Sequence, residues 1–162
     1  MDDRLRHSFS EEQHERIFQN DIRPVYFRPG EPLPSAPAAI ILGGQPGSGK
    51  SGLLVAADKQ LRQDGRTVVI NGDDLRSFHP AYGRLQTEDP LNAARYTDQD
   101  SGRWVEKLIA AAAVERVNMV IESTMRRPEV FRATAGTLFA HGYRVEARLP
   151  CRGACPGRAG TA

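Results

Sequence analysis

A glycine-rich segment in the first third of the chain has the residue types and spacing of a phosphate-binding loop. Residues 43–51 read Gly-Gly-Gln-Pro-Gly-Ser-Gly-Lys-Ser, which places the pattern Gly-x4-Gly-Lys-Ser on Gly44, Gly49, Lys50 and Ser51. Glycines let the backbone bend so that successive N–H groups point at an anion. A lysine at this place reaches the β- and γ-phosphates, and a serine hydroxyl can bind Mg²⁺. The segment predicts a site for a nucleoside triphosphate.

The residues on either side of this loop support the same interpretation. An apolar run at 38–42 predicts a buried strand before the loop, and a helix is predicted to begin near Gly49. A helix N-terminus supplies unpaired N–H donors and the positive end of a dipole. The alternative is an ordinary Gly/Ser turn, which the strand and the helix make the weaker interpretation. The predicted nucleotide-binding residues are Gly44, Gln45, Pro46, Gly47, Ser48, Gly49, Lys50, Ser51 and Gly52.

Acidic residues follow two other predicted strands. The run Asn-Gly-Asp-Asp at 71–74 follows the second strand, and Glu122 follows the third. Parallel sheets bind ligands beyond the carboxyl ends of their strands, and phosphoryl transfer needs a group that positions the attacking hydroxyl. Either Asp73 or Asp74 could be that group, although one of them could instead cap the next helix. An acid at Glu122 is expected near the metal, because a charge at a buried strand end needs a partner.

The pattern alone assigns no role to several other polar residues. Arg126 and Arg127 could face phosphates or solvent equally well. Glu106 on a predicted long helix is typical of a solvated helix face, and His79 before Pro80 is typical of a loop.

Strands that alternate with helices predict a parallel α/β sheet with right-handed crossovers. Ser10 and Gln13 have the spacing of a capping box at the start of the first helix. The predicted elements are a helix at 10–20 that stops before Pro24, a proline-rich connector at 24–37, a strand at 38–42, a helix at 50–63, a strand at 66–70, a polar turn-rich stretch at 71–95, a helix at 98–116, a strand at 117–121, a helix at 128–140 and a strand at 143–149.

Composition and charge exclude several classes of protein. The 162 residues suffice for one domain with a substantial core. The 22 basic and 20 acidic residues are mixed along the chain, so no nucleic-acid partner is expected. No signal peptide is evident, and no apolar run is long enough to cross a membrane. Cys151 and Cys155 are interpreted as free thiols of a cytoplasmic protein rather than zinc ligands.

Three segments together resemble the zeta toxin family of bacterial toxin–antitoxin systems. They are GGQPGSGKS at 43–51, VVINGDDLRSFHPAY at 68–82 and NMVIESTMRRPEVFRAT at 118–134, within a resemblance that runs from residue 9 to 149. The second segment is the most diagnostic. The resemblance implies a P-loop kinase fold and ATP- and Mg²⁺-dependent phosphorylation of the sugar of UDP-N-acetylglucosamine. It also implies an antitoxin protein as a partner.

The resemblance also implies roles that the pattern left open. It favours Asp73 over Asp74 as the catalytic acceptor of the hydroxyl proton, with Lys50 on the phosphates and Ser51 on the metal. The substrate-binding residues that it implies are Arg76, His79, Glu106, Glu122, Thr124, Arg126 and Thr134.

The chain departs from the family pattern after residue 149. Family members continue into a helical segment whose arginines clamp the transferring phosphate and then into a last strand, whereas this sequence reads PCRGACPGRAGTA. We therefore expect a C-terminally truncated zeta-toxin-like domain at 1–149 with about four strands, an unstructured tail at 150–162 and impaired turnover. Two alternatives stay open. One is a kinase of another small hydroxyl compound, and the other is a non-catalytic remnant that binds nucleotide or an antitoxin.

Overall fold

The sheet at the centre of the fold is parallel, as the sequence predicts. The computed structural model of the protein describes residues 9–45, 47–123 and 128–150. Within these ranges four strands lie side by side in the order β2-β3-β1-β4, and every neighbouring pair is parallel. The strands are β1 (Ala38–Leu42), β2 (Thr67–Ile70), β3 (Asn118–Glu122) and β4 (Arg144–Arg148).

Helices precede, connect and cover these strands. The longest, α6, has 23 residues, and none of the described helices is both long and apolar enough to cross a bilayer. The helical elements are α1 (Glu11–Ile17), a π-helical turn (Phe18–Ile22), α2 (Arg23–Tyr26), α3 (Lys50–Arg62), α4 (Gly72–Leu75), a 3₁₀ turn (Arg76–Phe78), α5 (Tyr82–Glu88), α6 (Ala93–Glu115) and α7 (Pro128–Ala140).

Strand β1 is apolar along its whole length because helices cover both of its faces. All five of its residues are buried, which is typical of a strand inside a parallel sheet. Successive side chains point to opposite faces. Ile41 belongs to the cluster that contains Trp104 and Leu108 of α6, whereas Ile40 packs in a second cluster with Leu61 of α3. The two clusters therefore pack against opposite faces of β1, the strand that leads into the phosphate-loop segment.

The strand register places the polar residues of three strand ends at the same level. Leu42 of β1 lies opposite Glu122 of β3, and Ile70 of β2 lies opposite Ile121. Asn71, the first residue after β2, therefore lies at the level of Glu122. The phosphate-loop segment begins at this level too, directly after Leu42. The sheet thus brings together residues that are far apart in the sequence.

The N-terminal helix continues past Pro24, which corrects the predicted stop near residue 20. A π-helical turn follows α1, and the N–H of Arg23 donates to the carbonyl of Phe18. This wider turn lets a new helix, α2, begin at Arg23, with Pro24 in its first turn. A proline is tolerated there because the N–H that it lacks would have no partner inside the helix.

The stretch predicted to be turn-rich, 71–95, is largely helical. It contains α4, the 3₁₀ turn and α5, and α6 begins at Ala93 rather than near residue 98. These helices are short, and their apolar residues are too few to give a helical period, although Leu75 and Leu85 are buried. The other element boundaries agree with the prediction to within one residue, apart from the start of α6 and the N-terminal helix.

Candidate active site

The loop after β1 has the backbone of an anion-binding loop. Gly44, Gly47 and Gly49 all have positive φ angles, of 135°, 75° and 87°. Residues with side chains rarely adopt this conformation, so the turn needs glycine. Helix α3 begins at Lys50 directly after Gly49, and within the described part of the chain no side-chain cap is found at its N-terminus. The first N–H groups of the helix remain available to a ligand, as at phosphate sites of other proteins.

The donors of this loop fit a triphosphate. Ser48 Oγ is buried and has no hydrogen-bond partner in the described part of the chain, so it can donate to a phosphate oxygen. A Cβ on Gly44 would lie 2.8 Å from that hydroxyl, so a side chain at Gly44 would fill the cradle. Ser51 is exposed in the first turn of α3, where its hydroxyl suits Mg²⁺. Of the predicted loop residues, Pro46 lies outside the described residues.

Three strand ends meet around the carboxylate of Glu122. Lys50 Nζ lies 3.1 Å from one oxygen of Glu122. The side-chain amide of Asn71 donates to the other oxygen at 3.0 Å. The Asn71 carbonyl oxygen in turn accepts from the backbone N–H of Asp73 at 2.9 Å and caps α4. Sequence reasoning treated Asn71 only as part of a turn, although an asparagine directly before a short helix is a typical N-cap.

Asp73 and Lys50 line the same small cleft. The cleft measures about 200 Å³. One oxygen of Asp73 lies 2.5 Å from Nη1 of Arg76, and Arg76 also pairs with Asp98 of α6. The Asp73 side chain stays 74% exposed in spite of this ion pair, so a substrate can reach it. The local sequence gives no sign of the role of Asp98, because its partner is 22 residues away. The cleft is lined by Lys50, Asn71, Gly72, Asp73, Arg76, Asp98, Ser101, Gly102, Glu122 and Ser123.

The neighbouring Asp74 has different surroundings. It does not line the small cleft. Partial burial raises the pKa of Asp74, and the negative charges of Glu122 and Asp73 raise it further. Burial raises the pKa of Tyr26, and the negative charge of Asp74 raises it further, to about 12. The structure therefore places Asp73, and not Asp74, in the cleft with Lys50.

A second, larger cleft lies between α6 and α7 and adjoins the first. It measures about 740 Å³. Asp98, Gly102 and Ser123 line both clefts, so the two clefts are neighbours. Glu106 and Thr134, which only the resemblance marked as functional, both line the larger one. Its other lining residues are Val105, Ile109, Ala110, Val130, Ala133 and Thr137.

His79 is placed away from both clefts. Its side chain is 1% exposed and its Nε2 lies 3.6 Å from Oδ2 of Asp100, which is equally buried. His79 lines neither cleft in this structure, and its contact with substrate stays a prediction. Two other expected substrate contacts, Thr124 and Arg126, lie outside the described residues, as does the tail at 151–162.

The family can now be identified from comparison with known proteins. A sequence profile described as "Zeta toxin" matches residues 28–149. The chain belongs to the zeta toxin family. Toxin PezT of Streptococcus pneumoniae serotype 4 is 38% identical over 120 residues, which are 74% of this chain and 47% of the relative. Toxin zeta of Streptococcus pyogenes is 30% identical over 139 residues, 86% of this chain and 47% of the relative. This chain thus spans about half the length of the curated relatives it matches.

Solved structures confirm the P-loop type of α/β fold. A structure from the PezAT chromosomal toxin–antitoxin system of Streptococcus pneumoniae superposes with a TM-score of 0.76 at 31% identity. The superposition covers 88% of this chain and 57% of that one. A proposed kinase from Chloroflexus aurantiacus superposes with a TM-score of 0.52 at 18% identity, over 71% and 59% of the two chains. This second likeness concerns the fold alone.

Proposed function

We propose that this member of the zeta toxin family is an ATP-dependent phosphotransferase that phosphorylates a sugar hydroxyl of UDP-N-acetylglucosamine. The observation that carries the proposal is the shared cleft of Lys50 and Asp73, which adjoins the larger cleft between α6 and α7. Phosphoryl transfer needs a phosphate cradle, positive charge and a group that receives the hydroxyl proton, and little else from the protein. The described residues offer all three in and beside the small cleft.

The proposed reaction gives each of these groups one task. The loop holds the triphosphate of ATP, and Lys50 contacts its β- and γ-phosphates. Ser51 would help to hold Mg²⁺, which would supply positive charge against the phosphates. Asp73 accepts the proton of the sugar hydroxyl while that oxygen forms a bond to the γ-phosphorus. The bond from the γ-phosphorus to the bridging oxygen breaks, and ADP leaves with the electron pair.

Glu122 keeps the Lys50 side chain inside the cleft in this proposal. The side chains of the pair are only 11% and 21% exposed, so both charges are largely withdrawn from water. Two opposite charges that are largely removed from water stabilise each other, because an unpaired buried charge is strongly unfavourable. Asn71 orients the carboxylate through its second oxygen. Glu122 also lines the cleft, where it can contact the acceptor.

The larger cleft suits a nucleotide sugar as the acceptor. Its volume of about 740 Å³ lies in the usual range for small-molecule sites. Val105 and Ile109 offer an apolar wall for a base, and Glu106 and Thr134 offer hydrogen bonds to hydroxyl and amide groups. Thr124 and Arg126 remain proposed contacts on the strength of the family resemblance.

A panel of acceptors tests the proposed substrate. ADP release from ATP and Mg²⁺ is measured with UDP-N-acetylglucosamine, UDP-glucose, free N-acetylglucosamine and an aminoglycoside antibiotic as acceptors. We expect the highest kcat/KM for UDP-N-acetylglucosamine and a loss of about 100-fold or more in Lys50→Ala, because one positive group on the transition state is removed. Lys59→Ala, an exposed lysine of the same helix, is the matched control. A higher kcat/KM for another acceptor would reject the proposed substrate.

We also propose that an antitoxin protein binds this chain. The proposal is supported by the toxin–antitoxin system to which the similar solved structure belongs. Co-expression with the product of the adjacent gene, followed by size-exclusion chromatography, tests it. Co-elution is expected, and separate elution of the two proteins at micromolar concentration would contradict it.

A further inference from the structure

A buried histidine–aspartate pair joins the segment that carries Asp73 to helix α6. His79 follows the 3₁₀ turn, and Asp100 lies in the first half of α6. Both side chains are 1% exposed, and Nε2 of His79 lies 3.6 Å from Oδ2 of Asp100. Neither oxygen of Asp100 has a hydrogen bond in the described part of the chain. The contact with the imidazole is therefore the main polar interaction of this carboxylate.

The hydrogen bonds of the imidazole determine where its proton lies. The backbone N–H of Ala81 donates to Nδ1 of His79 at 3.1 Å. A ring nitrogen that accepts a hydrogen bond carries no proton, so the proton of the neutral ring is on Nε2. That N–H faces the Asp100 carboxylate. The 3.6 Å between Nε2 and Oδ2 is longer than a hydrogen bond, so the buried carboxylate restricts the orientation of the ring through an electrostatic contact.

The pair lies at the end of a short chain of contacts that begins at Asp73. Asp73 pairs with Arg76, and the N–H of His79 donates to the Arg76 carbonyl at 3.0 Å. Arg76 also pairs with Asp98, two residues before Asp100 in α6. Helix α6 therefore contacts the segment at two points, one at Arg76 and one at His79. Loss of one point would let the segment shift over the cleft.

The backbone of α6 at this place is held independently of the Asp100 side chain. Nε2 of His14 in α1 lies 3.1 Å from the carbonyl oxygen of Asp100, and the indole N–H of Trp104 donates to the His14 carbonyl at 3.2 Å. The two rings stack at 4.8 Å. Removal of the Asp100 carboxylate should therefore leave α1 and α6 in contact.

We propose that His79 and Asp100 are positioning residues that fix the place of Asp73 in the cleft that it shares with Lys50. The inference rests on the proposed phosphotransferase function. A gain in stability is a weak explanation for the pair, because apolar residues of similar volume often stabilise a core as well as a buried polar pair does. The pair instead restricts the geometry of a segment whose catalytic carboxylate is exposed.

Kinetics of paired variants test the inference. Asp100→Ala and His79→Leu should lower kcat by about 10- to 100-fold, since a displacement of about 1 Å can reduce the rate that much. KM for ATP should change less than about twofold, because the phosphate loop is untouched. Asp100→Asn keeps an oxygen that can accept, and His79→Gln keeps an N–H near the position of Nε2. Both should recover most of the lost kcat.

The matched control removes another buried polar contact of α6 far from Asp73. The Tyr143 hydroxyl donates to the carbonyl oxygens of Ala112 and Val117 near the end of α6. Tyr143→Phe should destabilise the protein and leave kcat unchanged. An Asp100→Ala protein with wild-type kcat would overturn the proposal, as would a Tyr143→Phe protein that loses kcat equally.

Two measurements without substrate separate this inference from the proposed function. Nitrogen-15 NMR should find His79 protonated on Nε2 only, and amide hydrogen exchange at residues 72–79 should accelerate in Asp100→Ala but not in Tyr143→Phe. Unchanged exchange in Asp100→Ala or a proton on Nδ1 would overturn the positioning role, whatever the enzyme does. If both expected results are obtained but the wild-type protein phosphorylates no acceptor, the proposed function is contradicted and the positioning role is not.

Discussion

Asp73 and Asp74 are adjacent in the sequence but differ in their surroundings. Asp73 lines the cleft with Lys50 and pairs with Arg76. The pKa of Asp74 is raised by partial burial and by two neighbouring carboxylates, and its charge acts on Tyr26. The residue pattern predicts that an aspartate is needed here without predicting which one. The choice depends on the direction of each side chain in α4, which only the fold determines.

Matched substitutions of the two aspartates test this distinction. Asp73→Asn should lower kcat by about 10²- to 10⁴-fold, because the hydroxyl proton loses its acceptor. Asp74→Asn should stay within about threefold of the wild type. The measurement is the steady-state rate of transfer to UDP-N-acetylglucosamine. Equal losses in the two variants would mean that Asp73 has no special role.

Glycine at position 44 is required by space as well as by backbone conformation. A Cβ there would lie 2.8 Å from Ser48 Oγ and 3.0 Å from Pro150 Cγ, at a φ of 135°. Gly44→Ala should therefore weaken ATP binding at least tenfold and lower the melting temperature. Gly83→Ala in α5 is the control, since nothing lies within 4 Å of its Cβ. That helical substitution should stabilise by about 0.5–1 kcal/mol. Calorimetry with ATP measures both effects, and unchanged binding by Gly44→Ala would contradict the loop geometry.

Several residues of the candidate site could not be predicted from their local sequence. Lys50 and the loop glycines belong to a contiguous pattern, which is enough to identify them. Asn71 and Asp98 take part through partners 51 and 22 residues away, Glu122 and Arg76. Contacts at such distances follow from strand order and helix packing. Sequence spacing does not reveal them without the fold.

At the scale of elements, the N-terminal helix was predicted correctly at its start and incorrectly at its end. The capping box of Ser10 and Gln13 is present, because both of its hydrogen bonds are local. The continuation past Pro24 depends on the π-helical turn, in which Phe18 and Ile22 are buried. Tertiary packing there outweighs the local preference of proline to end a helix.

Helix α1 contributes a pH-dependent part of the stability through His14. This side chain is fully buried between α1 and α6. Burial lowers the pKa of His14, and the positive charges of Arg103 and Lys107 lower it further. The hydrogen bond to the Asp100 carbonyl has the opposite effect and raises this pKa. The unfolded chain therefore binds a proton near pH 6.5 while the folded chain does not. Stability should fall as the pH drops below about 6.5, down to the lower pKa of the folded state.

Urea unfolding between pH 5 and 8 measures this effect. His14→Gln should flatten the change in unfolding free energy below about pH 6.5, because glutamine does not titrate. The control is His141→Gln, because His141 is exposed. This variant should keep the wild-type dependence of the unfolding free energy on pH. If the unfolding free energy of His14→Gln depends on pH as steeply as that of the wild type, His14 is not the source of the pH dependence.

At the scale of the whole molecule, alternating apolar strands and helices were enough to predict a parallel α/β sheet. The strand order β2-β3-β1-β4 brings three separate motifs together in one site. It places β1 beside β3, so the loop after β1 lies next to Glu122. The strands were predictable because each is a short apolar run. The helices between residues 72 and 88 were not, because their short segments carry too few buried positions for a period.

The proposed phosphorylation of UDP-N-acetylglucosamine can be observed by phosphorus-31 NMR of a mixture of the protein, ATP, Mg²⁺ and this nucleotide sugar. We expect a new phosphomonoester resonance that couples to a sugar proton of the nucleotide sugar, together with equimolar ADP, and the loss of this resonance in Lys50→Ala. A protein that binds both compounds at saturation and forms no sugar phosphomonoester would contradict this proposal.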